Sequence, residues 1–124
     1  MSPDTADASI TAALFRAIDA RDSAAFASLL AEDAVFRFGS APPVEGRDAI
    51  QASVEAFFGS IASLAHDVTR VVRDGDSLFC EGEVTYERHD GSTITLPFAD
   101  VLDYDDNLIR HYKIYMDVTP LFAS

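Results

Sequence analysis

The chain has 124 residues, 48% of them hydrophobic, with nine Phe, no Trp and a formal net charge of −12. That length suits one domain spanning 1–124 with a core of its own, and the charge argues against nucleic acid and anionic membrane as partners, since both recruit clustered Lys and Arg. A single cysteine, Cys80, excludes an intrachain disulfide and a cysteine-based zinc site, and "MSPDTADASI" lacks the features of a signal peptide, so a reducing cytoplasm is the expected compartment.

Ile10, Ala13, Leu14, Ala17 and Ile18 keep helical spacing, with Ser9 as candidate N-cap and residues 1–8 expected to fray. "RDSAAFASLLAED" reads as a second helix capped by Asp22 or Ser23, with Phe26, Leu29 and Leu30 on one side. "AVFRFG" reads as a short strand and "APPVEG" as a loop. Ile50, Val54, Phe57, Phe58 and Ile61 mark a third amphipathic helix from about Arg47. The period then changes to two. "HDVTRVVRDGD", "SLFCEGEVTYER", "TITLPFADVLDY" and "LIRHYKIYMDV" read as strands joined by tight turns. Three helices followed by antiparallel strands indicate an α+β domain with the helices on one sheet face.

Turn lengths set the register, and a one-residue slip exchanges the faces. With Asp90-Gly91 as a two-residue turn, Glu81 lies opposite Asp100, Glu83 opposite Phe98 and Thr85 opposite Leu96. With Asp105-Asp106-Asn107 as a three-residue turn, Tyr112 lies opposite Asp100, Ile114 opposite Phe98 and Met116 opposite Leu96. One face then holds Phe79, Glu81, Glu83, Phe98, Asp100, Tyr112, Ile114 and Met116. The other holds Cys80, Val84, Tyr86, Ala99, Val101, Tyr115 and Asp117. On this register Asp117, a conspicuous acid in "YMDVTP", points away from Asp100. The apolar residues Val84, Tyr86, Ala99, Val101 and Tyr115 of that second face predict a two-fold homodimer.

The stretches "FASLLAEDAVFRF", "VEGRDAI", "VTYERHDGSTITLPFADVLDY" and "LIRHYKIYMDVTPLF" resemble the nuclear transport factor 2-like superfamily, and within it the SnoaL-like group. The resemblance runs from about Ile10 to Phe122. It implies a conical α+β barrel: three helices on a curved mixed or antiparallel sheet that encloses a pocket, often dimeric through the outer sheet face. Its members include ketosteroid isomerase, limonene epoxide hydrolase and the SnoaL-type polyketide cyclases, so the fold alone names no activity. By that resemblance, Asp100 stands where ketosteroid isomerase has a protonated Asp that donates to the enolate oxygen. Its general base and its oxyanion Tyr are replaced by Phe38 and Leu14. The cyclases' catalytic Asp falls at Ile114, and a polar His of theirs at Asp100. The epoxide hydrolase's Asp-Arg-Asp set reads Glu83, Glu81 and Ile114, and its Tyr and Asn read Phe36 and Phe38. None of these three activities is expected in its known form.

On this register Asp100, Glu81, Glu83 and Tyr112 would meet in an apolar pocket as the candidate catalytic group. Burial and mutual repulsion raise carboxylate pKa values, and a protonated acid beside an ionised one provides donor and base together. That suits isomerase, lyase or hydrolase chemistry. Two alternatives stand beside this: a solvent-facing row of Glu81 and Glu83, and an Asp100 that is only a satisfied buried acid. The expected lining comprises Phe36, Phe38, Phe98, Ile114 and Met116, joined by Leu14, Ile18, Phe58 and Phe79, with His66 at the mouth. It would take a small apolar or aromatic ligand with one polar end near Asp100. Cys80 is expected to face outward and be structural. No metal-ligand spacing and no phosphate-binding glycine loop occurs, so neither metal nor cofactor is expected. The open alternative is a non-catalytic ligand-binding or structural dimeric module.

Overall fold

The computed structural model describes the backbone of residues 4–122 and the side chains of residues 11–122. Helix α1 covers Asp4–Asp19. It begins before Ser9, the expected cap, whose side chain lies outside the described residues. Of the segment expected to fray, residues 1–3 also lie outside the described residues. Leu14, Phe15, Ala17 and Ile18 form its buried stripe.

Helix α2 is only Ser23–Ala27, capped by Asp22, whose side chain accepts from the Ala25 N–H at 3.0 Å. The longer helix expected from "RDSAAFASLLAED" gives way at Leu30, where strand β1 (Leu30–Phe38) begins. Tertiary pairing overrides helical spacing here: Leu30 and Phe36 join the core from an extended chain. Arg47 also donates twice to the Leu30 carbonyl, at 2.9 and 3.1 Å. The expected loop carries a two-residue strand β2, Val44–Glu45. Helix α3 runs Arg47–Gly59 and buries Ile50, Val54 and Phe58, each four residues after the last.

Strands β3 (Ser63–Asp74), β4 (Ser77–Glu87), β5 (Thr93–Asp105) and β6 (Leu108–Tyr115) follow, then a short helix α4, Thr119–Phe122. The six strands form one sheet in the order β2-β1-β6-β5-β4-β3. Strand β1 lies parallel to β6, and every other pair is antiparallel. The buried cluster joins α1, α2 and α3 to one sheet face, which is therefore the inner face. Leu14, Phe26, Ile50 and Leu102 sit at its centre with at most 1% exposure, and truncating any of them to Ala costs about 2–5 kcal/mol.

The β4–β5 hairpin corrects the expected register. Arg88 N–H donates to Ser92 at 2.8 Å, and Gly91 N–H donates back to Arg88 at 2.9 Å. Gly91 has φ +89°, so the loop is His89-Asp90-Gly91, three residues with a left-handed glycine. Asp90 tightens it by accepting from the Ser92 N–H and hydroxyl. The extra residue shifts every pair by one: Asp100 faces Cys80, Ala99 faces Glu81, and Pro97 faces Glu83. Cys80, Val84 and Tyr86 turn inward; Phe79, Glu81, Glu83 and Thr85 turn outward.

The β5–β6 turn departs from expectation twice, and the two departures offset. Its turn is two residues, Asp106-Asn107, with φ +54° and +68°. Past Tyr104–Ile109 the register shifts, leaving Arg110 as the extra residue of a bulge. Asp100 is therefore opposite Ile114 and not Tyr112, which pairs with Leu102. The faces survive, and Tyr112, Ile114 and Met116 remain inside. A second bulge, at Thr69 of β3, sits beside Gly82, where an added Cβ would come within 2.0 Å of the Asp67 carbonyl. No side chain larger than hydrogen fits that crossing.

Candidate functional site

Asp100 projects from β5 into the space between the sheet and the helices, with 2% of its surface exposed. Its period-two neighbours Leu96, Phe98 and Leu102 are buried on the same face, so strand alternation alone carries the acid inward. Tyr112, one diagonal step away on β6, donates its hydroxyl to Oδ2 at 3.1 Å. The Cys80 thiol lies 4.0 Å from the same oxygen. Oδ1 has no partner although it is buried. Burial pushes the carboxyl up from 3.8 to about 7, opposed by the Tyr112 hydrogen bond. Burial, then the Asp100 charge, pushes the Cys80 thiol up to about 12, so it is no nucleophile at neutral pH. The same causes, in the same order, raise Tyr112 well above its usual range.

A cavity of about 40 Å³ opens beside Asp100. Its walls are mostly aromatic: Phe26, Phe36, Phe38, Phe57, Phe58 and Phe98, with Tyr86 and Tyr112. Phe36 meets Tyr112 edge-on at 5.5 Å between ring centres, and Phe57 meets Tyr86 edge-on at 5.9 Å. Partly exposed Phe38, Phe57 and Met116 stand where the lining reaches the surface. Among the described residues the Tyr86 hydroxyl has the Met116 sulfur, at 3.8 Å, as acceptor.

His66 of β3 completes the lining. Its ring packs on Phe15 at 4.7 Å and edge-on against Phe98 at 5.1 Å. Asp19, at the end of α1, grips it twice: one oxygen is 2.6 Å from Nδ1, and the other accepts the His66 backbone N–H at 3.0 Å. In the neutral ring this places the proton on Nδ1 and the lone pair on Nε2.

Of the four expected catalytic residues, the structure brings together Asp100 and Tyr112. Glu81 and Glu83 are on the outer face, where Glu81 lies 3.4 Å from exposed Arg70. They cannot share a proton with Asp100, because a strand puts neighbouring residues on opposite faces. Of the expected lining, Ile18, Phe36, Phe38, Phe58, His66, Phe98, Ile114 and Met116 surround the cavity. Leu14 is fully buried in the core and does not line it. Phe79 points the other way and is 40% exposed. Cys80, Val84 and Tyr86, expected outside, are buried inside. Asp117 is exposed and accepts from the Thr119 N–H, which starts α4. Phe26, Val54, Phe57, Leu64 and Tyr86 of the lining, and Asp19 behind His66, are the site residues that sequence reasoning missed. The apolar alternation Leu78, Cys80, Val84, Tyr86 against Glu81, Glu83, Thr85 was the available signal for Tyr86. Among the described residues no group of three or more His, Cys, Asp or Glu could hold a metal ion, and no helix is long and apolar enough to cross a membrane.

The family described as SnoaL-like domain matches residues 11–112. No curated protein matches the sequence closely enough to count as a relative. Among solved structures, an NTF2-like protein of unknown function from Burkholderia pseudomallei superposes with TM-score 0.84 at 16% identity, over 98% of this chain and 95% of its own. A candidate polyketide cyclase from Xanthomonas campestris gives TM-score 0.85 at 21% identity, over 97% and 96%. A protein with a ketosteroid isomerase-like fold from Catenulispora acidiphila, in complex with trimethylamine, gives 0.80 at 19% identity, over 93% and 86%.

Proposed function

The chain belongs to the SnoaL-like domain family, and within it we propose that this protein holds a small apolar molecule by one polar atom seated on Asp100, with which Asp100 exchanges a proton. One observation carries the reading: Asp100 Oδ1 is buried beside the cavity with no hydrogen-bond partner. Buried polar atoms are nearly always bonded, and leaving one open costs about 1–3 kcal/mol. A ligand atom that bonds Oδ1 recovers that energy. Tyr112 fixes the other oxygen and so fixes the direction in which Oδ1 points. A cavity of about 40 Å³ limits the ligand to a few heavy atoms unless Phe38, Phe57 or Met116 rotates. The Catenulispora protein's trimethylamine is a molecule of that scale.

Turnover of the isomerase, lyase or hydrolase type needs a second group to handle the proton. The positions to which the resemblance assigns that group read Phe38 and Ile114 here. His66, whose Nε2 carries the lone pair in that tautomer, is the remaining candidate in the same lining. A carbon NMR titration of Asp100 tests the acid role. Half-protonation near pH 7 supports it, and an ordinary value near ~3.9 overturns it. Mass spectrometry of the purified protein for a retained small molecule tests the binding role.

The small volume of the cavity favours a second reading, a non-catalytic structural module. It predicts no retained ligand and no response of cavity residues to small apolar probes. In either reading we propose a homodimer through the outer sheet face. Val72, Phe79 and Tyr115 are 45%, 40% and 58% exposed there. Tyr115 belongs to the expected patch, and Val72 and Phe79 take the place of Val84 and Tyr86, which are buried inside. Sedimentation as a dimer at micromolar concentration supports this, and a monomer there overturns it.

A further inference from the structure

The chemistry around Asp100 is one-sided in charge. Among the described residues lining the cavity there is no Lys and no Arg. The titratable groups there are one carboxyl, one imidazole already engaged by a second carboxylate, and two tyrosines. Asp19 sits directly behind His66 of the lining, so a second acid stands close to the same cavity. The whole chain carries a formal −12. Most of the remaining wall is aromatic, with Ile18, Val54, Leu64, Ile114 and Met116 between the rings, and aromatic faces are negative.

We infer that the polar atom of the ligand is a cationic nitrogen: the cavity takes a small tertiary alkylammonium ion, its N–H donating to Asp100 Oδ1 and its alkyl groups lying against Phe36, Phe98, Tyr86 and Tyr112. This rests on the reading of Asp100 as the anchor and adds the sign of the ligand's charge. Once the carboxyl is ionised, a neutral alcohol would satisfy Oδ1 but leave that charge uncompensated in an apolar site, which is costly. An ammonium group supplies both the hydrogen bond and the countercharge, and charge-assisted bonds are about twice as strong as neutral ones. Its alkyl groups meet walls suited to cations by their quadrupoles as well as by their apolar surface. The protein's excess negative charge also raises the local concentration of small cations.

The test titrates the full chain at pH 8 with trimethylammonium chloride and, separately, with tert-butanol as a neutral probe of similar shape, ionic strength being matched with sodium chloride. Amide NMR shifts of Phe98, Asp100, Tyr112 and Ile114 report on the cavity. The expected result is that trimethylammonium binds roughly 10-fold or more tightly than tert-butanol. Asp100→Asn should weaken trimethylammonium roughly 10-fold or more and leave tert-butanol within about two-fold. Equal or tighter binding of tert-butanol by the unaltered protein overturns the cationic ligand while leaving Asp100 as an anchor. An Asp100→Asn affinity for trimethylammonium equal to wild type also overturns it. No cavity shift with either probe overturns this inference and the anchoring role together.

Discussion

Asp19 and Asp100 serve the same cavity and are in opposite states. Asp19 spends both oxygens on His66, one on the ring and one on the backbone N–H. Asp100 has one oxygen on Tyr112 and the other on nothing. Asp19 is partly exposed, so water helps to carry its charge; Asp100 is almost entirely enclosed. The contrast separates two uses of a carboxylate at one cavity. A carboxylate whose acceptors are filled orients its neighbour. A carboxylate held open by a single hydrogen bond costs the fold stability and is available to a ligand.

The largest expected effect therefore belongs to Asp100. Its carboxyl is raised from 3.8 to about 7, so between those two values the folded protein keeps a proton that the unfolded chain has released. Stability then falls as pH rises through that window and levels off above it. The shift corresponds to roughly 4 kcal/mol in total. Asp100→Asn removes the ionisation. Urea unfolding at pH 8 should show this variant more stable than wild type by up to about 4 kcal/mol, with the difference closing toward pH 4. A variant less stable at pH 8 would place Asp100 in the same class as Asp19.

Asp19→Asn should act in the opposite direction, destabilising by about 2 kcal/mol, since it weakens two hydrogen bonds made by a charged acceptor. Nitrogen NMR of His66 should then show the Nδ1–H form losing its dominance. An unchanged tautomer would mean that Asp19 does not orient the ring. A smaller effect is expected from Tyr112→Phe. The hydroxyl lowers the Asp100 pKa, so its removal should raise that value further and cost about 1 kcal/mol at pH 8. Carbon NMR of Asp100 checks the direction.

The inward placement of Asp100 was legible because alternation within one strand needs no partner. Leu96, Phe98 and Leu102 fix its face by themselves. The helices α1 and α3 were legible for a similar reason, as local apolar stripes. The neighbours of Asp100 were not, because a neighbour depends on the turn. "HDGS" admits a two-residue or a three-residue loop, and the choice was settled by Asp90 accepting from Ser92 and by the left-handed Gly91. That single residue moved Glu81 and Glu83 out and Cys80 and Tyr86 in. The β5–β6 faces were read correctly only because a shorter turn and a bulge at Arg110 cancelled. Asp19 was invisible for a different reason. Its partner is 47 residues away, brought there by packing of α1 on β3.

The smallest effect is the sharpest check on that register. Glu81 is one residue from Cys80, which touches Asp100, yet its own side chain is about half exposed, near an exposed Arg70. An exposed pair of this kind contributes about 0–1 kcal/mol. Glu81→Gln should therefore change stability by no more than about 0.5 kcal/mol and leave the titration of Asp100 where it is. In the register with a two-residue turn, Glu81 would face Asp100 directly, and removing its charge would lower the Asp100 pKa by relieving the repulsion. A downward move of Asp100 in Glu81→Gln would thus return Glu81 to the cavity, and an unmoved Asp100 leaves the acid alone with Tyr112, Cys80 and its unfilled oxygen.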